Sequence, residues 1–113
     1  MSGFIVFKDY IEIRLKIDHD LTQVIDFGIC YKEPKGKFGY LCEKDGVFTV
    51  NNYICYEFNC ENIIKGTWIF STFIKNNIRQ IVGSPLCVDL YKEFSKIFPK
   101  SKKELNFYDC VEV

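Results

Sequence analysis

Apolar and charged residues alternate without a break through Ile11-Glu12-Ile13-Arg14-Leu15-Lys16-Ile17-Asp18, so Ile11, Ile13, Leu15 and Ile17 share one face of a predicted strand. A second run, Val24 to Tyr31, puts Ile25, Phe27, Ile29 and Tyr31 on a common face, with turn material at Asp18-His19-Asp20 between the two. Glu33-Pro34-Lys35-Gly36 interrupts the pattern, and Phe38 to Glu43 resumes it. Asp45-Gly46 then reads as a hairpin turn, because both residues tolerate the positive φ such turns need. Val47 to Cys60 returns as a strand, broken near Asn51-Asn52. Thr67 to Ile74, rich in aromatic and β-branched residues, is the most β-prone segment of all. In it Trp68, Phe70, Thr72 and Ile74 share one face, and Ile69 and Phe73 the other.

The period changes after residue 83. Ser84-Pro85 has the form of a helix start, and Leu86, Leu90, Phe94 and Phe98 recur every four residues, joined by Ile97, up to a stop at Pro99. This predicts a helix over about 84–98, followed by a polar link and a last strand over Leu105–Val113. The expectation is a single α+β domain spanning 1–113. It has a mostly antiparallel sheet of about five to six strands with one helix, in the C-terminal half, packed on it.

A chain of 113 residues with an apolar fraction near half has enough material for a real core. Its 15 acidic residues balance its 15 basic ones, which argues against general affinity for polyanions or membrane surfaces. Alanine is absent and Lys far outnumbers Arg, the bias of an AT-rich gene. Six cysteines suit a disulfide framework only in an exported chain. The start MSGFIVFKDYIEIRLKID has no leader pattern and no stretch approaches a membrane span, so the cysteines are expected reduced and the protein cytoplasmic.

Chemistry is sparse. His19, the lone histidine, is bracketed by Asp18 and Asp20, a general-base pairing with no Ser or Cys close by to complete it; turn-forming Asp is the simpler use. Cys55 and Cys60 lack the second ligand pair that structural zinc needs. The glycines are too scattered for a phosphate loop. No catalytic residue, metal or cofactor is assigned.

The tract KGKFGYL at 35–41 resembles the signature strand of RNA-recognition motifs, which stacks bases on exposed aromatics and would here use Phe38 and Tyr40. It departs by an extra residue at Lys37, by Glu43 in place of the last aromatic, and by a β-prone rather than helical continuation from Val47 to Phe58. The stretch is therefore read as ordinary hairpin, with Phe38 and Tyr40 on the core.

The remaining signal is aromatic load: one Trp, 11 Phe and 7 Tyr exceed what one sheet face can hide. By elimination the leading expectation is a non-enzymatic protein-binding module, an inhibitor of the immunity or antitoxin type that neutralises a partner enzyme by covering its active surface. Tyr53, Tyr56, Trp68 and Phe70 are its candidate contacts. The alternative is single-stranded RNA binding through Phe38 and Tyr40, with Lys96, Lys100, Lys102 and Lys103 on phosphates.

Overall fold

Eight strands, all paired antiparallel, and one helix make up the computed structural model, which describes residues 1–97. The strands are β1 (Gly3–Val6), β2 (Tyr10–Lys16), β3 (Asp26–Lys32), β4 (Phe38–Leu41), β5 (Phe48–Val50), β6 (Tyr53–Asn59), β7 (Trp68–Lys75) and β8 (Arg79–Val88), followed by α1 (Leu90–Ile97). They form two four-stranded sheets, ordered β1-β2-β6-β5 and β4-β3-β7-β8. Successive hairpins alternate between the sheets, so β1–β2 and β5–β6 build the first and β3–β4 and β7–β8 the second. The two middle pairs, β2–β6 and β3–β7, join the halves of the chain.

Alternation decides what lies between the sheets. Ile11, Ile13 and Leu15 of β2 stand opposite Phe58, Tyr56 and Ile54 of β6, while Ile29 of β3 stands opposite Thr72 of β7. With Trp68, Phe70 and Ile74 these side chains form one core shared by both sheets. Leu90 and Phe94 of α1 complete it, and the helix lies near β1 at the edge of the first sheet.

The alternating runs predicted at 11–18, 24–31 and 67–74 correspond to β2, β3 and β7. The break at Asn51-Asn52 is the β5–β6 turn, where Asn51 takes φ +54°. Three expectations need correction. The strand count among the described residues is eight, because β1 was not recognised, 47–60 forms two strands, and 79–88 is strand rather than loop and helix.

The helix begins at Leu90, not Ser84. Its cap is Asp89, whose carboxylate accepts the Lys92 amide at 3.0 Å. Ser84-Pro85 sits instead on an edge strand, where a missing N–H costs little, beside a register shift against β7 between Phe70 and Thr72. Gly83 supplies a φ of +75° there, and the Thr72 hydroxyl donates to the Val82 carbonyl at 2.6 Å.

Asp45-Gly46 closes no hairpin, since β4 and β5 belong to different sheets. It ends a single 3-10 turn, Glu43–Asp45, whose Asp45 carboxylate accepts the Cys42 amide at 2.9 Å. The strand expected at Leu105–Val113, together with Phe98, Lys100, Lys102 and Lys103, lies outside the described residues. Among those that are described, no helix is long and apolar enough to cross a membrane.

Candidate binding surfaces

The outer face of the second sheet is formed by Gly28, Cys30 and Lys32 of β3, Phe38 and Tyr40 of β4, Ile69, Ser71, Phe73 and Lys75 of β7, and Arg79, Ile81 and Cys87 of β8. Phe38, Tyr40 and Ile81 are 68%, 49% and 54% exposed. This corrects the expectation that Phe38 and Tyr40 pack on the core. They occupy the face of β4 that points away from it, while Gly39 and Leu41 point inward.

The exposed rings are held in place. Tyr40 meets Phe73 edge-on with centroids 5.3 Å apart, and the Arg79 guanidinium lies 4.2 Å above Tyr40 and 5.5 Å from Phe73. Phe73 is thereby 1% exposed although it is on the outer face. The Leu41 backbone carbonyl and, further off, the Phe73 ring stand where a side chain on Gly28 would go, so that position excludes any larger residue. The Lys32 ammonium lies 6.0 Å from the Phe38 ring. Lys32, Lys75 and Arg79 against Asp26 make this face cationic.

The four partner contacts expected from sequence divide. Trp68 and Phe70, at 2% and 1% exposure, are core residues, because the Trp68–Thr72 side of β7 faces the first sheet. The Trp68 indole N–H is committed to the Ile64 carbonyl at 3.1 Å. Tyr53 is half-buried on the outer face of the first sheet, where its hydroxyl accepts from the N-terminal ammonium at 3.2 Å. Tyr56 points between the sheets.

There Tyr56 borders a cleft of about 400 Å³ lined by Tyr31, Leu41, Phe58, Ile63, Ile64 and Trp68, with Glu33 and Glu61. Burial, with weaker contributions from Asp45 and Tyr31, pushes the Tyr56 hydroxyl above the ordinary tyrosine range. Gly39 has its reason here, because the Tyr31 ring fills the space a β-carbon at position 39 would need. The glycine within KGKFGYL is thus a packing requirement of the cleft wall.

His19 lies exposed on the β2–β3 connection, in a shallow depression lined otherwise by Ile17, Asp18, Asp20 and Asn52. Asp20 is occupied by local structure, accepting from the Thr22 hydroxyl at 2.6 Å and the Thr22 amide at 3.0 Å, which lowers its pKa below the usual carboxylate value. Cys55 is buried on β6 and Cys60 lies past the strand end, in the Cys60–Asn62 turn. No group of three or more His, Cys, Asp or Glu placed to hold a metal occurs among the described residues. Lys96 stands on α1, 3.3 Å from Glu93, and belongs to neither the aromatic face nor the cleft.

Lys32, Arg79 and Ile81 were missed as surface residues by sequence reasoning. The one available signal was the Arg79-Gln80-Ile81-Val82 alternation, masked by the helix-like spacing that follows it. No family model, curated protein or solved structure matches the chain.

Proposed function

We propose that this protein is a non-enzymatic, cytoplasmic binding module that works through the outer face of its second sheet, and that its partner is a protein with an acidic surface, which it neutralises by covering. One observation carries the reading: Phe38, Tyr40 and Ile81 are exposed together on a single sheet face beside Lys32, Lys75 and Arg79. Isolated exposed apolar residues are commonplace, but aromatics grouped with arginine are the composition of interface centres. The cations supply the complementarity to an acidic partner.

Capture of the product of an adjacent gene is the direct test. Phe38→Ala, Tyr40→Ala and Arg79→Glu should each weaken capture about tenfold or more, whereas Glu57→Ala on the opposite sheet should not. Unchanged capture by the first three variants, or no neighbour that binds at all, removes the proposal.

A second reading is favoured by the cation above each exposed ring, which is also how single-stranded RNA is held. With three cations on the face, binding of a U-rich oligoribonucleotide should be weakly salt-dependent, with a log–log slope of about −2. Phe38→Ala and Tyr40→Ala should each cost about 1–3 kcal/mol. Saturable binding with those losses would transfer the assignment to RNA.

A further inference from the structure

The cleft between the sheets lies on the side of the second sheet away from the exposed aromatic face, and the binding role given to that face does not use it. We propose that the cleft is a binding site for a small methylated ammonium group.

Its volume of about 400 Å³ is within the usual range for small-ligand sites, roughly 300–1,000 Å³. Four aromatic rings line it, drawn from three strands and both sheets: Tyr31 of β3, Tyr56 and Phe58 of β6, and Trp68 of β7. Tyr31 and Tyr56 are half-buried and form the accessible walls, while Phe58 and Trp68, at 8% and 2% exposure, form the floor. The floor is rigid, with the Phe58 and Trp68 rings edge-on at 4.8 Å and the indole N–H tied to the Ile64 carbonyl.

Charge selects the ligand. Glu33 and Glu61 line the cleft, and among the described residues no Lys, Arg or His does. Asp45 is close enough to Tyr56 to reinforce the rise in its pKa that burial causes. The neighbouring Lys65 ammonium lies 4.9 Å above the Tyr91 ring. An anion would meet two carboxylates, and a neutral apolar ligand would strip water from them without compensation. A primary ammonium is a compact, strongly hydrated charge and loses more hydration than a methylated one on entering between aromatic walls. A quaternary, fully methylated ammonium carries charge without N–H groups to satisfy, so it suits aromatic faces backed by carboxylates. The same headgroup occurs on free choline-like molecules and on trimethylated lysine side chains.

Trp68 is the only tryptophan, so its emission reports on the cleft floor directly. The full chain is titrated with tetramethylammonium chloride, choline chloride and N-acetyl-trimethyllysine methylamide. Sodium chloride at matched ionic strength and 3,3-dimethylbutan-1-ol, the neutral isostere of choline, serve as controls. All three methylated cations should produce a saturable change, with the neutral alcohol at least about tenfold weaker.

Glu61→Gln and Glu33→Gln, which alter rim side chains without touching the core, should each weaken binding about three- to tenfold. Tyr56→Leu, which keeps bulk but removes a π face, should weaken it about tenfold or more. Tighter binding of choline than of the trimethyllysine amide would indicate a free small molecule, and the reverse order a modified side chain. The proposal is overturned if the neutral alcohol or sodium chloride gives the same response. It is equally overturned if both glutamine variants titrate like the parent, or if nothing saturates by about 100 mM, where any affinity is negligible.

Discussion

The two sheets share one core but finish their outer faces in opposite ways. On the first, Glu12 and Arg14 pair along β2, Glu12 is 6% exposed, and Cys55, flanked in register by Arg14 and Phe48, is completely covered. On the second, the rim of the face is left open, with Phe38, Tyr40 and Ile81 in solvent, although Phe73 beneath them is as buried as any core residue. The centre of the first face is closed by an ion pair and close neighbours, as stability alone would ask, and Ile5 of the edge strand β1 is exposed at its margin. Exposed aromatics on the second add little to stability, and that contrast is why binding is assigned there.

The sharpest way to break the comparison is to truncate two phenylalanines of the same face. Phe73→Ala should cost about 3–5 kcal/mol, the usual loss for a buried aromatic, and Phe38→Ala no more than about 0.5 kcal/mol, as at ordinary surface positions. Paired urea melts measure both; a costly Phe38→Ala would return that ring to the core and remove the open face. A smaller effect is expected from the ion pair. Glu12→Gln should lower the melting midpoint by a few degrees, more than Lys75→Gln on the second face does, because it removes a largely buried carboxylate that is paired with Arg14.

The least perturbing probe is chemical. Burial pushes the Cys55 thiol above its ordinary pKa, Arg14 opposing this only in part, while Cys87 on the second face is exposed. A disulfide reagent reaches only an accessible thiol. Cys87 should therefore react in the folded protein, with Cys55 inert until the protein unfolds. Equal rates would mean that the first face is not closed.

Much of this contrast was legible in residue order. Strict alternation located β2, β3 and β7 and placed Trp68 and Phe70 on the face opposite Phe73. Alternation separates two faces without saying which is inside. For β4 the decision rests on Tyr31, whose ring needs the inward position next to Gly39 to be empty, and so turns Phe38 and Tyr40 outward. That is a tertiary contact between residues eight positions apart, and no local pattern encodes it.

The segment 79–90 misled for a different reason. Leu86 and Leu90 are four apart and both reach the core, one from the end of a strand and the other from the start of a helix, so spacing alone reads them as one stripe. The cleft was hidden because its lining is scattered from Tyr31 to Trp68 and assembles only when the sheets pack.

The alternating order of hairpins has a kinetic consequence. Each hairpin can close quickly from near neighbours, but the pairs at the centre of each sheet, β2 with β6 and β3 with β7, bring together residues about forty positions apart. Closing such loops has an entropic cost that must be met before the core rewards it, which places the domain among slow, millisecond-to-second folders. It also makes the two halves of the chain mutually dependent. Neither 1–46 nor 47–97 contains a complete sheet, so in a nascent chain the first sheet is unfinished until β6 has been synthesised and the second until β8 has, and unpaired strand edges stay open to misassociation for that interval.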